Sequence, residues 1–171
     1  ALSGQLESGF TILPKNILDK HESIAVDRHW HARLQALLEP QFDVNTGDLV
    51  SVAQTVATVK DKQALAAQTG AVAVDMESAI LARLATRYKL PFIAIRVVHD
   101  TASMEIPKAF TDIIDTVEGS GKIDKWKLIK GLLFNWPGWK VIKEHSSANE
   151  DAMSNLDAIT KLALPDFKLT K

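Results

Sequence analysis

The 171-residue chain contains no cysteine, which excludes disulfides and any thiolate metal centre. It has no apolar run near the roughly 18 residues that span a bilayer. Residues 1–10 lack the basic-then-apolar order of a secretory signal. Charge of one sign is lacking too: the net charge is −1, so no bulk electrostatic footprint for nucleic acid exists. These absences point to a reducing, cytoplasmic setting. What remains is 46% hydrophobic and 24% charged, an ordinary globular mixture long enough for one domain with a sizeable core.

Short apolar runs and turn signals alternate with helical stripes along the chain. Phe10-Thr11-Ile12-Leu13 reads as a strand closed by Pro14, and residues 17–26 as a loop with a short strand. Asp27 is placed to cap a helix over 29–38, with Ala32, Leu34, Leu37 and Leu38 as its inner side. Asn45-Thr46-Gly47-Asp48 is a turn before a strand at 49–52. A β-rich run at 55–59 leads into a helix over 60–68, ended by Gly70. Residues 71–74 read as a buried strand, followed by a helix whose stripe is Met76, Ile80, Leu84 and Tyr88. The small residues Ser78, Ala79 and Ala82 let that helix approach a sheet closely. A strand at 92–98 completes a strand–helix–strand unit, which predicts parallel pairing. Helices are expected at 109–117, 125–134 and 149–164, so that 108–171 forms the helical part of a single 1–171 domain.

Two acids end these strands. Glu77 follows the strand at 71–74 and Asp100 follows the strand at 92–98. In an open α/β sheet, ligands bind at the carboxyl ends of strands. Two carboxylates there suit a site that grips hydroxyls and handles a proton. Each acid also has a plain structural reading. Glu77 suits the first turn of a helix, and Asp100 suits a cap on the turn Thr101-Ala102-Ser103. Arg96 lies within an apolar strand and needs a partner, for which Asp75 or Glu77 is expected. His29 and His31 lie two apart and face different ways on a helix, so no metal site is read there.

Val74-Asp75-Met76-Glu77-Ser78-Ala79, then Pro91-Phe92, then Ile95-Arg96-Val97-Val98-His99-Asp100, resembles the purine nucleoside phosphorylase and nucleosidase superfamily. That group includes the methylthioadenosine/S-adenosylhomocysteine nucleosidases. Gly47-Asp48 through Lys62 looks like the family's approach to the base pocket, and the resemblance covers Gly4 to Pro107. It implies a three-layer α/β/α sandwich around a twisted mixed sheet. It also implies cleavage of the N-glycosidic bond of a purine nucleoside, by phosphate or by water. Asp100 matches the family's acid that assists departure of the base at N7, and needs a pKa raised from about 4 to donate near neutrality. Glu77 matches the ribose clamp, since one carboxylate accepts two hydroxyls. Met76 matches the contact on the sugar face, or is plain core.

Gln54, Thr55 and Val56 lie where relatives place the base pocket, yet none is aromatic. His99 stands where many relatives have Ser; it contacts the base or turns into a helix–sheet interface. The resemblance requires no metal and no organic cofactor, with phosphate as the one optional co-substrate. The family's anion-binding segments precede Ser3-Gly4-Gln5-Leu6, so either part of a longer protein or a naturally shortened relative is expected, with a sheet lacking its N-terminal strands, and phosphate-binding residues stay unassigned. The segment from Pro107 to Leu162 looks like a branch tied to hopanoid lipid synthesis. That implies a lipid-linked nucleoside. Residues 122–143 interleave lysines with Trp126, Trp136 and Trp139, which fits a membrane surface, a pocket wall, a subunit contact in a homo-oligomer, or a helical pair with solvated lysines. The rival to an enzyme is a non-catalytic binding or storage relative of the same fold.

Overall fold

The computed structural model describes residues 1–106 and 152–163. Its strands are β1 (Thr11–Ile12), β2 (Asn16–Leu18), β3 (Ser23–Ala25), β4 (Val44–Asn45), β5 (Leu49–Ser51), β6 (Ala73–Asp75) and β7 (Arg96–Val97). Its helices are α1 (Arg28–Leu38), α2 (Val59–Thr69), α3 (Ser78–Arg87) and a further helix, α4, over 152–163. The α/β class with mixed sheets is as expected. Hydrogen bonding divides the strands into two sheets, ordered β4-β1-β7 and β3-β2-β5-β6.

The two sheets are joined by strands that break at the same level. Pro14 has no N–H to donate, and there the first strand passes from one sheet to the other. β1 pairs in parallel with β4 (Thr11 opposite Val44), and β2 pairs in parallel with β5 (Ile17 opposite Leu49). The offset between partners drops by one residue across the break. The matching interruption is the turn at Asn45-Thr46-Gly47-Asp48, where the Asn45 side chain accepts a hydrogen bond from the Gly47 N–H at 2.8 Å. A Cβ on Gly47 would stand 2.5 Å from Val72 Cγ1, so any other residue here requires Val72 to shift.

Capping follows the sequence closely. The Asp27 carboxylate accepts from the Trp30 N–H and starts α1. Thr58 caps α2, and Gly70, at φ 70°, closes it in the left-handed conformation. The main core gathers Leu6, Ile12, Ile17, Leu49, Ala79 and Ala82 between sheet and helix. A second cluster sets Leu13 and Leu34 against Ala163 of α4. Asn155 of α4 also donates to the Gly9 carbonyl at 2.9 Å.

Several expectations are corrected. Residues 17–26 hold an antiparallel hairpin of β2 and β3 rather than a loop with one strand. The run at 55–59 forms no strand: Thr58 is already the cap of α2. Ala32 is exposed, and its place on the inner side of α1 belongs to His31, whose Nε2 lies 2.9 Å from the Leu13 carbonyl. β6 and β7 are not parallel neighbours. β7 pairs antiparallel with β1 in the other sheet, and 92–95 lie outside the ladder. On α3 the stripe faces outward: Ile80 is 62% exposed, Leu84 50% and Tyr88 64%. Ser78, Ala79 and Ala82 are buried instead, since small side chains let the helix backbone approach β2, β3 and β5. The helices expected at 109–117 and 125–134, and the segment 122–143, lie outside the described residues.

Gly47→Ala is expected to destabilise the protein by about 1–3 kcal/mol, since the new Cβ overlaps Val72 between two sheets. Urea denaturation checks it: the midpoint should fall with no change in slope.

Candidate functional site

Asp75, the last residue of β6, organises the corner where β5, β6, α3 and β7 meet. Its carboxylate accepts from the Ser51 hydroxyl (2.5 Å), the Ser78 hydroxyl (2.5 Å) and the Ser78 N–H (3.2 Å). Arg96 of β7 donates to it through Nε at 2.9 Å and Nη2 at 2.8 Å. Ser51 in turn accepts from the Ala79 N–H at 2.9 Å. Asp75 therefore satisfies the first turn of α3, a task that Glu77, the formal cap residue, does not perform. Burial pushes the Asp75 carboxyl up, but the two hydroxyls and the guanidinium pull it below its ordinary value. The expected partnership of Arg96 with Asp75 or Glu77 is thus present in both forms, with Glu77 Oε2 at 3.7 Å. The depth is not as expected: the Arg96 side chain is 38% exposed.

Met76 and Glu77 follow at this corner. Met76 is half-buried, and the Thr55 hydroxyl reaches its sulfur at 3.8 Å. The Glu77 side chain is 68% exposed. An open groove of about 1100 Å³ runs between the β2–β3 hairpin, the end of β5, α2 and α3. Met76, Gln54, Val52, Leu65 and Ile80 contribute to its walls. At its rim Arg83 pairs with Asp19 and, at 3.6 Å, with Glu22. The backbone N–H of His21, then that of Glu22 and the Arg83 guanidinium, hold Asp19 below the usual carboxylate range.

Asp100 lies in a second cluster. Lys62 of α2 is fully buried, and its ammonium donates to Asp100 Oδ2 at 2.5 Å, to the Thr101 carbonyl at 2.8 Å and to the Met104 carbonyl at 2.9 Å. The amino group of Ala1 stands 3.8 Å from the same oxygen. Burial pushes the Asp100 carboxyl up, but the Ala1 amino group, Lys62 and His99 outweigh it, and its pKa lies below the ordinary value. This reverses the expected raised pKa: a burial penalty is present, and the Ala1 amino group, Lys62 and His99 together exceed it. His99 is half-buried beside Asp100.

Gln54 and Met76 thus share the groove, while Glu77, Val56, His99 and Asp100 are not among its lining residues. Residues 55–57 connect the two clusters. Thr55 touches Met76, and the Ala57 carbonyl accepts from the Ile106 N–H at 2.9 Å, which ties that segment to the chain after Asp100. The residue missed by sequence reasoning is Lys62. Its signal was available: with Val59, Ala66 and Thr69 it occupies one helical stripe, where a lysine must bury its charge.

The profile of the phosphorylase superfamily matches residues 7–121. The chain belongs to that superfamily. Among solved structures it is similar to the Helicobacter pylori 5′-methylthioadenosine/S-adenosylhomocysteine nucleosidase bound to butyl-thio-DADMe-Immucillin-A (16% identity, TM-score 0.59, 94% of this chain and 64% of that one). It is also similar to the Streptococcus pyogenes S-adenosylhomocysteine nucleosidase with 5-methylthiotubericidin (20%, 0.57, 77% and 63%). A third similar structure is the futalosine hydrolase of Helicobacter pylori (15%, 0.56, 86% and 64%). At these identities the likeness establishes the fold, and the chain spans less than two thirds of each of these structures. No curated protein matches it significantly.

Asp75 contributes stability that is fully present above its unfolded value of about 3.9 and is lost as pH falls through its lower folded value. The urea midpoint of the wild type should therefore drop on acidification through that window, and drop less in Asp75→Asn. At neutral pH, Arg96→Met is expected to cost about 1–3 kcal/mol by leaving the Asp75 carboxylate short of a partner, with solvent screening favouring the lower end. An unchanged midpoint in Arg96→Met would remove the pair from the account of stability.

Proposed function

We propose that this chain cleaves the N-glycosidic bond of an adenosine-type nucleoside. Glu77 accepts hydrogen bonds from the ribose hydroxyls while Met76 packs against the sugar. Asp100, once protonated, passes its proton to N7 of the purine. The C1′–N9 bond breaks, its electron pair goes to the base, and an oxygen of phosphate or of water bonds to C1′, the water giving up one proton to solvent. Gln54, Thr55, Val56 and His99 border the base. No metal or organic cofactor enters this scheme.

One observation carries the reading. Arg96 of β7 reaches both Asp75 and Glu77 at the start of α3. Asp100 follows Arg96 by four residues, a span of at most about 14 Å of extended chain. The base-side acid therefore lies within a short span of chain of the residue that contacts the sugar-side acid. Superfamily membership supports the reaction class. The same reading extends to a lipid on the ribose 5′ side, contact of 122–143 with a membrane surface or with a second copy, and a cytoplasmic location. These rest on the sequence of that segment and on composition.

A second reading has its own support. Asp100 is committed to Lys62, and Glu77 is largely exposed. Both suit a relative that binds a nucleoside without turning it over.

Free adenine released from 5′-methylthioadenosine, with and without phosphate, separates the two. The enzyme reading expects release, accelerated by phosphate if phosphate is the nucleophile. Asp100→Asn is expected to slow it by about 100-fold or more. Calorimetric binding of the nucleoside with no adenine formed would establish the binding protein instead. Release at the wild-type rate in Asp100→Asn would end the role given to that residue.

A further inference from the structure

Lys62 is the most deeply buried charge among the described residues, and its surroundings are specific. All three of its donors are used: one on Asp100 Oδ2, one on the Thr101 carbonyl and one on the Met104 carbonyl. Three of the groups it holds lie on one stretch, 100–104, that has no helical or strand ladder of its own. α2, which presents it, is fixed at both ends by the Thr58 cap and by Gly70. The cation therefore belongs to the rigid partner and the acid to the irregular one.

We propose that Lys62 is a positioning residue for Asp100: its ammonium clamps the carboxylate and the Thr101 and Met104 carbonyls together, and so sets the direction and the charge of the acid offered to the base. This deepens the glycosidic-cleavage reading and rests on it for its catalytic consequence. The clamp itself does not. An ionised Asp100 cannot donate a proton, so the pair confines a neutral-acid step to low pH, or requires the arriving base to shift the balance. Oδ2 faces Lys62 and the Ala1 amino group, and His99 stands beside the carboxylate. The Ala1 amino group donates to the Asp100 carbonyl, whereas Lys62 holds the carboxylate together with the Thr101 and Met104 carbonyls.

The test pairs a spectroscopic readout with a kinetic one. Asp100 is followed by carboxyl carbon NMR, assigned by its disappearance in Asp100→Asn. In the wild-type chain its titration midpoint should lie below the ordinary carboxylate value of about 3.9. In Lys62→Met, and in Lys62→Gln, which keeps an amide donor for the carbonyls, the midpoint should rise by about one unit or more, since an opposite charge at this range moves a carboxylate by that much. Lys62 is the one group altered in these variants, so the difference belongs to it. With 5′-methylthioadenosine, the alkaline limb of the kcat profile should move to higher pH in both variants while its height falls. KM should change little. A purely structural lysine would lower the height and leave the limb in place.

A folded variant whose Asp100 midpoint does not move overturns the proposal. So does a wild-type midpoint at or above the ordinary value, a measurement that needs no variant to fold. If the midpoint rises and the limb does not, the clamp stands and Asp100 is not the proton donor. If the wild type releases no adenine while the midpoints behave as expected, the clamp stands and the cleavage reading fails.

Discussion

The Asp75 carboxylate is the constraint on which the site depends. It draws the Ser51 hydroxyl from β5, the Ser78 hydroxyl and N–H from α3, and the Arg96 guanidinium from β7 onto one group. β5 and β6 belong to one sheet and β7 to the other. Hydrogen bonds of the ladders do not cross between these sheets, so this charged cluster, with the packing of Ala94 and Val98 in one core with Ala79 and Ala82, holds β7 against the start of α3. A carboxylate suits the task because it accepts from several directions at once. Charge-assisted bonds are also stronger than neutral ones. Everything placed by that corner, from Met76 and Glu77 to the path of the chain toward Asp100, inherits its geometry from Asp75.

The way α3 docks follows from the same corner. Ser78 is drawn in by Asp75 and Ala79 by Ser51, so the first turn meets the sheet through its smallest side chains. Ala82 continues that face and is fully buried. With the small face inward, Ile80, Leu84 and Tyr88 are turned outward, and Ile80 becomes a wall of the groove. Hydrophobic periodicity alone selects the opposite face. Polar anchoring at the helix start and the short approach that alanines permit decide the rotation here. An unusually apolar outer face on α3 is the consequence.

Local chemistry made much of the fold readable from the sequence. Asp27, Thr58 and Gly70 act through nearest neighbours along the chain, and the helices begin and end near the positions they mark. The strand at Thr11–Ile12 and the turn through Gly47 are equally local. Pairing was less readable. Two- and three-residue strands carry too little pattern to specify partners, so a parallel crossover was expected where β7 in fact runs antiparallel to β1. The Arg96–Asp75 link was readable because an arginine amid apolar residues demands a counter-charge. The clamp on Asp100 was not, since Lys62 and Asp100 lie far apart in sequence and nothing in either segment alone names the other. The signal that did exist was a lysine on the inner stripe of α2.

That lysine changes what burial means for Asp100. A carboxyl taken out of water alone becomes a weaker acid, which is how catalytic acids are commonly prepared near neutrality. A buried ammonium without a partner would cost several kcal/mol, so α2 can carry Lys62 inward only where anionic and carbonyl oxygens are waiting. Asp100, Thr101 and Met104 supply those oxygens. The requirement runs both ways: the lysine needs the acid ionised, and the acid gains its fixed direction from the lysine. A base that is to take a proton from Asp100 must therefore supply, through its own charge or by displacing a contact, the free energy that the ion pair withholds. In this fold, the charge of Asp100 is coupled to how tightly α2 holds the chain after β7.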